Sequence, residues 1–240
     1  MTKAFAPKLY LDDLHPCDID YFSHGGSRSY AVSLPFKDGK WEHVWITPNP
    51  LTDWNEKLGK GVLCFDIVSK RTCPNCAKCL NCYANKIETL RPYVYNKHLF
   101  NTLLLLHYTV NLQVAIERQL SRTTKRIVRL HSSGDFFAQW YVDFWADIAK
   151  KFPHIFFYGY SKSFNWVDFS EINALPNVNI LNSILPDGDI NYGDDDFLAE
   201  KTTQFPDISV CPVTLGIEGA ECMRTCHDCW HKRFMLFKEH

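Results

Sequence analysis

The run Cys73-Pro-Asn-Cys76-Ala-Lys-Cys79-Leu-Asn-Cys82 constrains this chain more than any other feature, because it sets four thiols in ten residues with two residues between neighbours. A chain coiling around one centre can supply all four, as the C-x₂-C-x₂-C run of ferredoxins does around an iron–sulfur cluster. Zinc ribbons also use C-x₂-C, but as two pairs separated by a longer loop. One zinc held by this run alone would need two tight knuckles with only two residues between them. A [4Fe-4S] cluster is therefore the better fit, with zinc as the alternative. A second group, Cys222-Met-Arg-Thr-Cys226-His-Asp-Cys229, follows Cys211 by eleven positions and again offers four thiols. His227 and His231 stand beside it as alternative ligands, so this second centre reads as either a cluster or a mixed Cys/His zinc site. The two groups could also share one site. Cys17 and Cys64 are isolated and read as small buried hydrophobes.

Thiols hold metal where the compartment is reducing, so location matters. The start, MTKAFAPKLYLDDL, has no apolar run after its Lys and does not read as a secretory signal. The longest apolar stretch, Leu99 to Ile116, is interrupted by Asn101, His107, Asn111 and Gln113, which predicts a buried helix and no membrane span. A cytoplasmic protein is expected. With 46% hydrophobic residues in a 240-residue chain there is material for a sizeable core, which excludes general disorder. Lys plus Arg (26) balances Asp plus Glu (27), so nucleic-acid binding by bulk charge is disfavoured. Arg118, Arg122, Lys125, Arg126 and Arg129 form a local basic stretch that reads best as a solvated helix end.

The chain divides at about residue 54. Over 1–54 the segments Ser29–Pro35 and Trp41–Thr47 flank Lys37-Asp38-Gly39-Lys40, which predicts a β-hairpin in a β-rich segment packed on the core. Over 55–240 strands alternate with helices. Strands are expected at Gly61–Val68, Arg126–His131, Ile155–Tyr160 and Asn177–Ile184. Helices are expected from Tyr93 to about Ser121, at Ala138–Phe152 and at Trp166–Leu175. Asp194-Asp195-Asp196 reads as an exposed acidic loop. This order implies an α/β fold: a partial parallel βα barrel of about four units, with the N-terminal hairpin and a cysteine-rich C-terminal segment.

Ligand sites of such folds lie at the carboxyl ends of the strands. There the sequence sets the first cysteine group, Ser133-Gly134-Asp135, Ser161-Lys162-Ser163 and Asn182-Ser183. Asp135 and His131 are the candidate catalytic groups, and Ser133, Gly134 and Lys162 the candidate cofactor-binding ones. Each has a plainer reading: Asp135 as the N-cap of the helix near Ala138, His131 as a satisfied strand-end histidine, Lys162 as a solvated lysine. No nucleophile elbow, phosphate-binding glycine loop or H-E-x-x-H motif is present.

Taken in order, Thr72-Cys73-Pro74 to Cys79, Cys82-Tyr83-Ala84, Pro92, His131-Ser-Ser-Gly134-Asp135-Phe136-Phe137 and Cys226 with Cys229-Trp230 resemble the bacteriophage gene product 88 family over roughly residues 55–232. The resemblance implies a phage or prophage origin, and hence the cytoplasm of a host cell; Cys76 is an addition to the family's pattern. The layout is also distantly similar to radical S-adenosylmethionine barrels. There a cysteine triad after the first strand holds the cluster and a Gly-Gly-Glu turn after the second contacts the cofactor. Cys76, Cys79 and Cys82, with Ser133-Gly134-Asp135, occupy the matching places, though the spacing here is C-x₂-C-x₂-C where that superfamily has C-x₃-C-x₂-C. S-adenosylmethionine is the cofactor this similarity implies. The expected function is thus an iron–sulfur protein with radical or redox chemistry at the strand ends. The alternative is a zinc-stabilised, non-enzymatic module that binds a host protein or nucleic acid. A small-molecule ligand remains open, and a membrane partner is not expected.

Overall fold

The computed structural model describes residues 5–15, 30–46, 49–52, 61–79, 82–220, 226 and 228–238. Cys17, Cys222 and His227 lie outside the described residues.

The hairpin forms as its pattern predicts. Strands β1 (Tyr30–Pro35) and β2 (Trp41–Ile46) pair antiparallel, with Gly39 at φ 85° in the turn. Val32, Leu34 and Val44 point into the core, while Trp41 and Trp45 stay exposed. Next come β3 (Leu51–Thr52) and β4 (Val62–Phe65), then helices α1 (Tyr83–Leu90), α2 (Pro92–His107) and α3 (Thr109–Arg122). After these run β5 (Ile127–Leu130), α4 (Gln139–Lys151), β6 (Phe156–Ser161), α5 (Ser170–Asn173) and β7 (Val178–Asn182). The C-terminal part adds β8 (Tyr192–Gly193), α6 (Asp195–Gln204), β9 (Ser209–Val210) and β10 (Met235–Lys238).

The result is a mixed α/β fold around a five-stranded sheet of order β3-β4-β5-β6-β7. Strands β4 to β7 are parallel neighbours in chain order, and β3 joins β4 antiparallel. The sheet is therefore mixed where the sequence pattern predicts a parallel one, because a two-residue strand has too little side-chain pattern to be read. Alternation along the strands separates two cores. Leu63, Phe65, Val128, Leu130, Phe157 and Ile180 face the helices, packing with Leu99, Leu103, Ile116, Trp145 and Ile148. Val62, Cys64, Tyr158 and Leu181 face the C-terminal segment, against Cys211, Cys229 and Met235. There β10 pairs with β8 and β9.

Three local expectations need correction. The helical region expected from Tyr93 to Ser121 is broken at Tyr108, which leaves helical geometry at φ −138°. Its phenol instead ties the hairpin down, donating to the Ser33 carbonyl at 2.9 Å. The helix expected over Trp166–Leu175 is one turn, Ser170–Asn173. The acidic run is not a loop. Asp194 caps α6, accepting from the Phe197 amide at 2.9 Å, and Asp195 and Asp196 fill the first turn, where the helix dipole favours negative charge.

Candidate functional site at the strand ends

The floor of the site is a buried polar network that joins β4, β5, α1 and α2. Asp66, directly after β4, accepts through Oδ1 from the amides of Ser132 (2.5 Å) and Ser133 (2.8 Å) after β5. Glu88 on α1 reaches back beneath the following turn. Its Oε1 accepts from the Ser133 hydroxyl (2.8 Å) and lies 2.7 Å from His98 Nδ1, while Oε2 accepts from the Ser69 hydroxyl (2.6 Å). Burial alone would raise the Glu88 carboxyl, but His98 and Ser69 outweigh it and hold the group below its ordinary range. On its other side His98 Nε2 lies 3.9 Å from Asp66. These bonds fix the two strand ends at one spacing. Gly134 belongs to the same floor. At φ 85° it has left-handed geometry, and a Cβ there would meet Ile67 Cγ1 at 2.3 Å and Thr72 Oγ1 at 2.8 Å.

The cysteine loop is built on this floor. Thr72 bonds back to the Val68 carbonyl, and successive turns run Cys73 to Lys70, Cys76 to Cys73 and Cys79 to Cys76 through backbone hydrogen bonds. A single 3-10 turn spans Cys76–Lys78. Asn75, between the first two cysteines, donates to the Lys162 carbonyl and to Asn165 Oδ1 (2.7 Å), which clamps the loop to the end of β6. Cys82 ends the loop as the N-cap of α1, its sulfur 3.5 Å from the Asn85 amide.

Within the loop the four sulfurs feel one another. Burial, then the Asp135 carboxylate, holds the Cys73 thiol well above its ordinary value, with Cys76 and Cys82 adding to the effect. Burial likewise raises Cys76, helped by Cys79 and Cys82. Lys162 is the counter-charge. Burial alone would lower its ammonium, but Cys79, Asp135 and Cys73 beside it outweigh that and raise it. Asp135 is buried and fully engaged: Oδ1 accepts from the Ser161 hydroxyl (2.6 Å) and the Phe136 amide (2.7 Å), and Oδ2 from the Lys162 amide (2.9 Å). Burial outweighs those bonds and raises its carboxyl. It does not cap α4, whose N-cap is Ala138. Asp135 thus joins the ends of β5 and β6, and Lys162 is no solvated lysine.

His131 lies apart from the sulfurs. Its ring sits among Phe65, Phe136 and Tyr141 on the helix side of the sheet, with Nε2 2.5 Å from the Tyr141 hydroxyl and Nδ1 without a partner. Burial, assisted by Arg129, depresses it to about 3, so the ring is neutral at physiological pH.

Of the second cysteine group, Cys211 and Cys229 occupy the opposite side of the sheet from the helices. Both are buried there beside Cys64, and the Tyr160 hydroxyl lies 2.6 Å from the Cys229 sulfur. Burial, with a contribution from Cys211, raises the Cys226 thiol. Burial and Asp66 push Cys64 up to about 12, as expected of an inert buried thiol. Among the described residues no three His, Cys, Asp or Glu side chains converge on one metal position. By donor chemistry the Cys73–Cys82 loop fits a thiolate-bound metal: four sulfurs, one lysine beside them and a helix N-terminus at the last.

The sequence reading missed Asp66, Glu88, His98 and Asn75. Glu88 carried one usable signal, a carboxylate among the residues that follow a cysteine run; His98 stands just before a helix-length apolar stretch.

A family model described as "Gene product 88" matches residues 45–228. The chain belongs to the gene product 88 family. Curated relatives agree: the "Gene 88 protein" of Mycobacterium phage D29 is 27% identical over 203 residues, covering 73% of this chain and 81% of that protein. The "Gene 88 protein" of Mycobacterium phage L5 is 28% identical over 207 residues, covering 75% and 83%. No solved structure matches the chain. The gene product 88 match spans the first cysteine group, Cys211, Cys222 and Cys226 of the second, and all four parallel strand ends; Cys229 lies one residue beyond it. No helix among the described residues is long and apolar enough to cross a membrane.

Proposed function

We propose that this chain is a phage-encoded metal–thiolate protein. Cys73, Cys76, Cys79 and Cys82 would hold an iron–sulfur cluster at the strand ends, on four parallel strands read as the arc of a partial barrel. One observation carries the reading: four thiols share one ten-residue loop beside the half-buried Lys162 and the buried Asp135, and Asn75 clamps that loop to the end of β6. A bound [4Fe-4S] cluster supplies one-electron chemistry. The chain's own residues would do the rest. Lys162 offsets negative charge on the thiolates, Asp135 holds the Lys162 backbone in register, and the Asp66–Glu88–His98 network keeps the loop base rigid. Anaerobic purification with iron, sulfide and zinc analysis tests this. The reading expects stoichiometric iron and sulfide; a colourless, iron-free protein with stoichiometric zinc would contradict it. Cys76→Ser and Cys79→Ser then separate two forms of the site. A closed four-thiolate site fails in both variants, whereas a triad with an open iron, the form S-adenosylmethionine needs, survives the first.

A second reading attaches to the C-terminal group. Cys211, Cys226 and Cys229, with Cys222, would form a zinc site that braces β10 against the sheet. Its support is the burial of Cys211 and Cys229 and the Tyr160 hydroxyl on the Cys229 sulfur, the closed surroundings of structural zinc. A chelator that removes zinc should then loosen the C-terminal segment without affecting iron.

A further inference from the structure

Beside the last strand of the sheet lies an open groove of about 660 Å³. It exists because the sheet stops at β7, whose outward backbone is closed by side chains and a loop instead of another strand. Asn173 accepts from the Ile180 amide (2.8 Å) and donates to its carbonyl (3.0 Å), and the Asn182 amide donates to the Arg233 carbonyl (3.2 Å). Asn179 holds the C-terminal segment in place, donating to the carbonyls of Cys229 (2.7 Å) and Lys232 (3.0 Å). The lining thus includes the segment His231-Lys232-Arg233 and the loop after β6, which contributes Phe164 and Trp166.

The lining is mixed in chemistry. Neither Lys232 nor Arg233 has an ion-pair partner among the described residues, and Arg233 only lies over the Phe234 ring at 5.5 Å. One acid, Asp168, also lines the groove, its carboxylate accepting from the Ser170 amide at 2.8 Å. The aromatic rings are held in place: Phe164 packs on Phe169 at 4.4 Å and Trp166 sets its edge against Phe5 at 6.2 Å. A groove of ligand size lined by two cations and by held aromatic rings suits an anion that carries a planar ring.

We propose that this groove binds a nucleotide, its phosphates on Lys232 and Arg233 and its base against Trp166 and Phe164. No cysteine lines the groove, so the proposal does not rest on the iron–sulfur reading of the Cys73–Cys82 loop.

Isothermal titration of the full chain with ADP at low salt tests the proposal. Saturable binding below about 1 mM is expected, weakening as salt rises. The double variant Lys232→Gln/Arg233→Gln should weaken ADP at least about tenfold, since charge-assisted phosphate bonds are lost. Trp166→Leu should weaken it by about five- to tenfold through lost stacking. Urea midpoints matching the parent show that each variant is folded. Should Trp166→Leu fail to fold, competition on the unmodified protein answers the same question, adenosine and inorganic phosphate each displacing ADP far less well than AMP does. Absence of ADP binding at about 1 mM, or unchanged affinity in the double variant, overturns the proposal. Inorganic phosphate competing as well as AMP overturns it too, because the rings would then play no part.

Discussion

Lowering the pH should charge His131 inside the core, and the structure sets how much stability that removes. Its ring is buried among Phe65, Phe136 and Tyr141, and burial holds its folded value near 3. In the unfolded chain a histidine titrates near 6.5. Between those values the unfolded state binds the extra proton, so stability is complete above about pH 6.5 and is lost as pH falls toward 3. The whole window is worth about 5 kcal/mol, and about 2 kcal/mol of it is gone by pH 5. Urea unfolding followed by tryptophan fluorescence, at pH 7 and pH 5, measures this. His131→Phe provides the reference, because it removes the titration and adds a pH-independent loss of about 1 kcal/mol from the stranded Tyr141 hydroxyl. The parent should lose about 2 kcal/mol more than the variant between the two pH values, with all other titrating groups cancelling. A difference below about 0.5 kcal/mol would refute the placement of a neutral, desolvated imidazole in this core.

Other consequences follow from the same site. Glu88→Ala should destabilise by about 2–4 kcal/mol in urea, because it strands the buried donors of Ser69, His98 and Ser133, while Glu88→Gln should recover part of the loss. Gly134→Ala should destabilise by about 2–4 kcal/mol, a fall in Tm of about 5–15 °C by calorimetry, since the new Cβ meets Ile67 Cγ1 at 2.3 Å in left-handed backbone. Because Cys73 and Cys76 are held above their ordinary values, metal uptake must displace their protons. Metal affinity, measured by competition with a chromogenic chelator, should fall about tenfold per pH unit for each proton displaced between pH 8 and 6.

Much of this architecture is legible in the sequence because its signals are local. The hairpin turn, the apolar runs of β4 to β7 and the Ser-Gly-Asp and Ser-Lys-Ser strand ends each lie within a few residues, and the strand ends meet where parallel topology requires. The helix break at Tyr108 is not legible, because neither glycine nor proline marks it; the phenol's bond to Ser33 across 75 positions competes with the helix. The acidic run misleads for a related reason: three aspartates suit a loop, yet they equally suit the first turn of a helix. Asp66, Glu88 and His98 are single polar residues on three different elements, and only their meeting in a buried network gives them meaning. Asp135 is the mixed case. Its position at a strand end is readable, but its bonds to Ser161 and Lys162 come from β6 and replace the helix cap that the local sequence suggests.

The central claim is that the Cys73–Cys82 loop binds metal through sulfur. X-ray absorption at the iron and zinc edges of the anaerobically purified full chain tests it most directly, read alongside the Cys79→Ser variant. The account predicts an iron edge with a shell of sulfur alone at about 2.3 Å, lost or reduced in Cys79→Ser. A parent protein that is folded, shows neither edge above background and presents its loop cysteines as free thiols would contradict it.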